Sequence, residues 1–212
     1  MKLLSVNLSG PKPHSVAGKP ESTGIYKEST LEPVQIHKLG LEGDVQVDKK
    51  NHGGPDQAVY LYSAEDYGWF SKELDRNLEP GTFGENLTLS SFGTDTVFIG
   101  DRFQIGKVLL EVTAPRIPCG TFAARMGDMG FVKRFKEAER PGIYARVLQE
   151  GKVQQGDSVT YERGESDVST LESFRLFYKK KLSVTEIKRM LAAPIDVRSR
   201  KAFEADLAKL EA

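Results

Sequence analysis

Short apolar runs separated by glycine-containing turns dominate the first three quarters of the chain. The clearest stretch lies between residues 96 and 113, where Gly-Asp and Gly-Lys turns separate three such runs. The pattern returns between residues 144 and 161. Short strands joined by tight turns are typical of a meander or a small barrel. We therefore predict strands at 2–8, 58–62, 97–99, 102–105, 108–112, 144–148 and 159–161.

Two stretches within this strand-rich part are predicted to be helices. Ser63 and Asp66 resemble a capping box, with Asp in place of the usual Glu or Gln, and they predict a helix start. The second helix is predicted from residue 131 to residue 138. Since no ten-residue helices alternate regularly with the strands, the pattern argues against a doubly wound α/β sheet.

After residue 165 the apolar spacing becomes helical throughout, in three successive stretches. Ser183 and Glu186 form a capping box that opens the second helix, and Pro194 ends it. The expected apolar stripes are Leu171, Phe174 and Phe177, then Val184, Ile187 and Leu191, then Phe203, Leu207 and Leu210. The chain thus divides into a strand-rich domain, 1–165, and a three-helix domain, 166–212. We expect these helices to pack on the strands or on a second subunit.

Charge and composition limit the kinds of partner and the cellular compartment to be expected. Thirty Lys and Arg residues balance thirty Asp and Glu residues, so no basic excess indicates a nucleic-acid or membrane-surface partner. No apolar stretch approaches the length of a transmembrane helix, and the N-terminal apolar run is too short for a signal peptide. A single cysteine without a secretion signal fits a reducing compartment, so we expect a cytoplasmic protein.

Cys119 is the only cysteine, and it follows an apolar strand in the motif Pro-Arg-Ile-Pro-Cys-Gly. One thiol forms neither an internal disulfide nor a cysteine-rich zinc site. A nucleophile, a sulfur carrier, a soft metal ligand and an inert packed side chain stay open from the residues alone. The prolines stiffen the backbone on both sides of Arg116, whose guanidinium would favour the thiolate form.

Polar and glycine-rich segments supply the other candidates. His52 precedes Gly53 and Gly54, where the ring and nearby backbone N–H groups could meet an anion, although a plain surface turn is the alternative. Asn86 follows a glycine loop and could hydrogen-bond a heterocycle or cap its own turn. Lys27 is a candidate phosphate contact or a simply exposed side chain.

The order of the motifs resembles that of the MOSC domain, the module named after the C-terminal part of molybdenum cofactor sulfurases. The motifs are Gly24-Ile-Tyr-Lys27, Gly40-Leu-Glu-Gly-Asp44, His52-Gly-Gly-Pro-Asp56, Phe83-Gly-Glu-Asn86, Ile99-Gly-Asp101 and Pro115-Arg-Ile-Pro-Cys119. The three C-terminal helices resemble the extension of the bacterial YiiM-type subfamily. The resemblance covers nearly the whole chain and implies a mainly β, closed barrel-like fold related to the β-barrel of pyruvate kinase.

The resemblance also implies a function, namely the molybdenum-cofactor-dependent reduction of N-hydroxylated compounds such as N-hydroxylated purine bases. Cys119 matches the catalytic cysteine that ligates molybdenum or carries sulfur. Arg116 and His52 match residues expected to line a positively charged pocket for the phosphorylated pterin. Weaker matches for cofactor contacts are Gly53, Gly54, Asn86 and Lys27. Since the chain has no cysteine set for an iron–sulfur cluster and no recognisable flavin or nicotinamide motif, electrons would come from a separate reductase.

Other functions fit the same residues. A Cys119 persulfide could deliver sulfur without redox turnover, and a module could bind the cofactor without catalysis. A thiol hydrolase using Cys119 and His52 lacks an evident third, orienting residue. The helical tail could also bury its apolar stripes across two subunits of a homodimer. Gln57 departs from the family pattern, in which a basic residue often follows His-Gly-Gly-x-Asp.

Overall fold

The computed structural model describes residues 1–48 and 53–211. The strands are β1 (Leu3–Leu8), β2 (Lys12–Val16), β3 (Lys19–Thr23), β4 (Glu28–Thr30), β5 (Val34–His37), β6 (Gly40–Leu41), β7 (Val59–Ser63), β8 (Leu87–Leu89), β9 (Arg102–Ile105), β10 (Val108–Pro115), β11 (Ile143–Gln149), β12 (Gly151–Val153) and β13 (Val159–Glu162). The helices are α1 (Ala64–Glu73), α2 (Gly120–Met126), α3 (Phe131–Ala138), α4 (Thr170–Phe177), α5 (Val184–Ala192) and α6 (Val197–Glu211), with a 3₁₀ turn at Pro55–Gln57.

Eight strands form one sheet in the order β13-β9-β10-β11-β7-β8-β1-β4, in which only β7 and β8 are parallel. Hydrogen bonds also join the start of β1, the strand next to the β4 end of this sheet, to the start of β13 at its other end. The N–H of Leu3 donates to Asp157 O at 2.9 Å, and the N–H of Val159 donates to Met1 O at 3.1 Å. The sheet-rich fold with short helices agrees with the sequence expectation, and the closed barrel stays a prediction.

Alternate residues of the central strands face a common apolar core, as the period of a β-strand requires. Phe103 and Ile105 of β9 are fully buried, and Ala145 of β11 lies among them in the same cluster. A second cluster is aromatic and lies beneath α1, α2 and α3. Its centre is Phe83, whose ring contacts those of Phe70 and Phe122 among others. This aromatic cluster supports the loop and helix that carry the site described below.

The predicted helix starts are confirmed. Ser63 caps α1 by accepting a hydrogen bond from the N–H of Asp66 at 3.1 Å. Ser183 and Glu186 form the complete capping box of α5, and α3 has the predicted bounds. These signals lie within three residues of each other in the chain, so they do not depend on distant packing.

Three expectations about apolar residues were wrong. The predicted strand at 97–99 is a turn, in which Phe98 makes a single isolated bridge and its N–H donates to Asp101 Oδ2 at 2.7 Å. Its apolar neighbours Val97 and Ile99 are buried, and their backbone bonds go to the stretch around the start of α4 rather than to a strand of the sheet. The N–H of Ile99 donates to Val168 O at 2.9 Å, and Val97 O accepts from the N–H of Thr170 at 2.9 Å. Phe177 is 62% exposed because α4 buries Leu176 instead. No residue of α6 is fully buried, and Leu210 is exposed.

The three C-terminal helices are present, and they share the core of the sheet. Leu176, Met190 and Ile195 belong to the same apolar cluster as the central strands. The domain division at residue 165 stays a prediction. Within the part of the chain that the structure describes, none of the helices is both long enough and apolar enough to cross a membrane.

Candidate functional site

A cavity of about 450 Å³ opens where several loops meet beside β7 and β11. Its wall includes five residues singled out from separate motifs, namely Lys27, Gly53, Asn86, Arg116 and Cys119. Gly54 is not among the lining residues, and His52 lies outside the described residues. Pockets of this volume are typical of sites for small molecules and cofactors. Chain folding therefore brings together residues that are up to about ninety positions apart in sequence.

Cys119 lies at the start of α2, directly after the short loop that follows β10. Its backbone is extended, with φ −132° and ψ 175°, and its C=O accepts a hydrogen bond from the N–H of Ala123 at 3.1 Å. The side chain is half-buried and lines the cavity. The thiol is therefore at a wall that a ligand can reach, while its other side packs on the aromatic cluster.

Arg116 is a cation held in one position. It is only 5% exposed, and its Nη1 donates to Phe83 O at 2.6 Å. The guanidinium carbon lies 3.8 Å from the ring centroid of Phe122 and 5.2 Å from that of Tyr60, both within cation–π range. Burial lowers the pKa of Arg116. The nearby phenols and the Cys119 thiol together raise it by a larger amount, so the net shift of the pKa is upward. The wall beside Cys119 thus carries a fixed positive charge.

Lys27 is buried and paired, so the alternative of a simply exposed lysine was wrong. Its Nζ lies 2.5 Å and 2.7 Å from the two carboxylate oxygens of Asp44, and the two side chains are 6% and 5% exposed. Burial lowers the pKa of Lys27, against the opposing influence of Asp44 and Glu85. Much of its positive charge is compensated by Asp44, and a phosphate contact stays a prediction.

Asn86 uses its side chain to join the walls of the cavity. Its Oδ1 accepts from the N–H of Tyr60 at 3.1 Å, and its Nδ2 donates to Asp44 Oδ2 at 2.8 Å. The N–H of Ser9 donates to the other Asp44 oxygen at 2.9 Å. Asn86 therefore fixes the position of Asp44 and, through it, of Lys27. An asparagine amide can form up to four hydrogen bonds, of which these are two.

The two glycines after His52 differ in what they permit. Both have a left-handed backbone, with φ +74° at Gly53 and +86° at Gly54. A Cβ on Gly53 would lie 2.0 Å from Gln46 Oε1, so the Gln46 side chain at the cavity wall would have to move to admit any other residue. A Cβ on Gly54 would come no closer than 3.9 Å to Arg198 Nη2, so Gly54 is needed for its backbone conformation alone.

Sequence reasoning did not assign roles to several residues of this site. Asp44 and Glu85 stood inside the motifs Gly-Leu-Glu-Gly-Asp and Phe-Gly-Glu-Asn, yet nothing in the spacing indicated their partners. Tyr60 and Tyr144 had appeared only as strand residues, although both line the cavity. The one signal in the sequence was that Asp44 and Glu85 each directly follow a turn glycine.

The buried Glu85 carboxyl should make stability depend on pH. It is fully buried and accepts hydrogen bonds from Gly81 N–H at 2.6 Å, Tyr67 Oη at 2.7 Å and Thr88 Oγ1 at 2.8 Å. Burial raises its pKa, with these bonds opposing the shift. As pH rises above 4.5, the unfolded chain loses this proton before the folded one, so stability falls until the folded pKa is passed.

Glu85→Gln should remove this dependence, because an amide does not titrate. We expect the free energy of unfolding of the wild type to increase relative to that of Glu85→Gln as pH is lowered towards 4.5. Urea unfolding of both proteins across this pH range measures the difference. Parallel pH profiles for the two proteins would contradict the raised pKa.

Comparison with known proteins identifies the family to which this chain belongs. Residues 48–160 match the model described as the MOSC domain. A protein of Bacillus subtilis (strain 168) called uncharacterized protein YflK is 37% identical over 191 residues, which cover 90% of this chain and 86% of that protein. Protein YiiM of Escherichia coli (strain K12) is 30% identical over 179 residues, with 83% of this chain and 79% of that protein covered.

Two further relatives extend the comparison. A Gibberella moniliformis (strain M3125 / FGSC 7600) protein named reductase is 30% identical over 198 residues, covering 91% of this chain but 35% of that longer protein. The crystal structure of YiiM from Geobacillus stearothermophilus superposes with a TM-score of 0.79 at 27% identity, over 97% of this chain and 98% of that one. The chain therefore belongs to the MOSC domain family, within the group that includes YiiM and YflK.

Proposed function

We propose that this protein is a molybdenum-cofactor-dependent reductase of N-hydroxylated compounds, such as N-hydroxylated purine bases. The observation that carries the proposal is the shared cavity wall of Cys119 and Arg116 in a chain of the MOSC family. A relative named reductase supports the redox class. The proposal joins a reachable thiol to a fixed cation, which suits an anionic ligand that carries a soft metal.

A single protein ligand, Cys119, fits a metal whose other ligands come from its own cofactor. Across residues 1–48 and 53–211, no group of three or more His, Cys, Asp and Glu side chains is arranged to hold a metal ion. Cys119 would be one protein ligand, and a thiolate is a suitable soft donor to molybdenum already bound by two dithiolene sulfurs. The cavity volume of about 450 Å³ is also in the range of cofactor sites.

Each residue of the cavity wall would make a different contact with the cofactor. Cys119 would ligate the metal, and the positive charge of Arg116 would keep the thiol in its thiolate form and attract the pterin phosphate. Asn86 and Gly53 would supply an amide and a closely approaching backbone, and His52 a further contact. Because Phe83 O and two rings hold Arg116 in place, little side-chain entropy is lost on binding.

The reaction needs two electrons and two protons for each N–OH group converted to N–H and water. When bound, the cofactor would supply the electrons to the substrate, since redox chemistry of this kind belongs to cofactors rather than to side chains. A separate reductase would then reduce the cofactor again. The chain's own residues would bind and orient the cofactor and leave room for the substrate in the open part of the cavity.

The test is to produce the protein in a host that makes the molybdenum cofactor and in one that does not. We expect molybdenum and pterin equimolar with the protein from the first host only. The loaded protein should convert an N-hydroxylated purine base to the amine with reduced methyl viologen as electron donor. Absence of molybdenum, pterin and turnover in the competent host would overturn the proposal, and a persulfide on Cys119 would then indicate a sulfur carrier.

A further inference from the structure

The C-terminal helices reach the wall of the cavity. Arg146 Nη2, on β11, donates to Pro194 O at 3.0 Å and to Ile195 O at 3.2 Å. The N–H of Val197 donates to Asp56 Oδ2 at 2.8 Å, and Arg146 Nε lies 3.0 Å from Asp56 Oδ1. The start of α6 is therefore fixed against the 3₁₀ turn that follows Gly53 and Gly54.

Arg198, the second residue of α6, extends this contact to the cavity itself. Its Nη1 donates to Gly53 O at 2.9 Å and to Gln57 Oε1 at 3.2 Å, and both of these residues line the cavity. Its charge also acts on Tyr144, another lining residue. Burial raises the pKa of Tyr144, while Arg116 and Arg198 oppose the shift. A residue of the helical tail thus holds the wall and adds positive charge near it.

This charge matters because the described wall is short of available cations. Its lining residues include three carboxylates, those of Glu21, Asp44 and Asp48. They include two cations, Lys27 and Arg116, and Lys27 is paired with Asp44. An anionic ligand would therefore benefit from a positive charge directly behind the wall. Arg198 is placed to supply it, since it contacts Gly53 and Gln57 from outside.

We propose that Arg198 is a positioning residue of the cavity, which holds the segment from Gly53 to Gln57 and raises the affinity of the site for an anionic ligand. The identity of that ligand, a phosphorylated pterin, rests on the proposed function. The effect of charge does not, because it can be measured on the protein without a cofactor.

The single cysteine provides the measurement, since Cys119 lines the same cavity. A dianionic disulfide reagent, dithiobis(nitrobenzoate), and a neutral one, dithiodipyridine, are compared for their rates of reaction with Cys119. Arg198→Ala should slow the dianionic reagent by about threefold relative to the neutral reagent at low salt, as expected when one positive charge near a dianion is removed in water. Arg198→Lys should restore most of the rate ratio, because it keeps the charge.

Arg200 provides the matched control on the same helix. Its guanidinium donates to Leu191 O at 2.9 Å and to Ala193 O at 2.8 Å, which are backbone groups of the helical tail. Arg200→Ala should leave the rate ratio of the two reagents unchanged. An unchanged ratio in Arg198→Ala, or an equal fall in both variants, would overturn the role of Arg198.

Cofactor content separates this inference from the proposed function. In the competent host, Arg198→Ala should hold about threefold less molybdenum and pterin than the wild type, because the same charge and the hydrogen bonds to Gly53 and Gln57 are lost. Equal loading of a folded Arg198→Ala would overturn the positioning role. If the wild type itself holds no cofactor, the proposed function fails, and the rate ratio of the two reagents still decides whether Arg198 acts on the cavity.

Discussion

Cys119→Ser is expected to lose at least about a hundredfold in reduction of N-hydroxylated substrate and to hold little molybdenum. Even residues that only support metal ligands typically cost ten- to a hundredfold, and the ligand itself should cost no less. The serine hydroxyl has nearly the size of the thiol but does not ionise near neutral pH. The half-buried position at the cavity wall should tolerate it, with a change in unfolding free energy within about 1 kcal/mol.

Molybdenum content, pterin content and initial rates measure this effect, and thermal unfolding verifies the fold. Met129→Ala is a suitable control, because it removes a sulfur atom from a residue that is 60% exposed in the connection between α2 and α3. It should retain full cofactor content and activity. A Cys119→Ser protein with undiminished molybdenum and turnover would exclude Cys119 as the ligand.

Asp44→Asn is expected to destabilise the protein by about 3–5 kcal/mol, the usual cost of leaving one member of a buried ion pair without its partner. Asp44 also accepts hydrogen bonds from Asn86 Nδ2 and from the N–H of Ser9, so several walls of the cavity depend on it. Urea unfolding at neutral pH measures the loss. The double variant with Lys27→Met should regain much of the stability, since the uncompensated charge is then removed.

The pH dependence of Asp44→Asn gives an independent measure of the same charge. In the variant, the buried Lys27 ammonium loses the carboxylate that holds its proton, so its folded pKa should fall further below 10.5. Between that folded pKa and 10.5 the unfolded chain binds more protons, so the variant should become more stable as pH rises. Glu28→Gln, which breaks the exposed pair with Lys12, is the control and should change stability little. A neutral-pH stability equal to that of the wild type would contradict the role of Asp44.

Local signals account for the correct parts of the sequence analysis. The starts of α1 and α5 follow from Ser63 and Ser183, whose hydroxyls bond to backbone only three residues away. The strands β9 and β10 follow from alternating apolar residues between glycine turns. The hairpin of β2 and β3 was missed because its residues are mostly exposed and carry no apolar alternation. Helix α2 was missed because it begins at Gly120 without a side-chain cap.

The strand-rich class, the three C-terminal helices and the motif that carries Cys119 could all be predicted from the amino-acid sequence, because each depends on residues that are close together in the chain. Long-range packing, in contrast, decided that Lys27 is buried against Asp44 and that Phe177 is exposed while Leu176 is buried. It also decided that Arg198 reaches Gly53, 145 residues away. Contacts between residues so far apart in the chain depend on how the sheet and helices pack, and the local spacing of residues does not predict them.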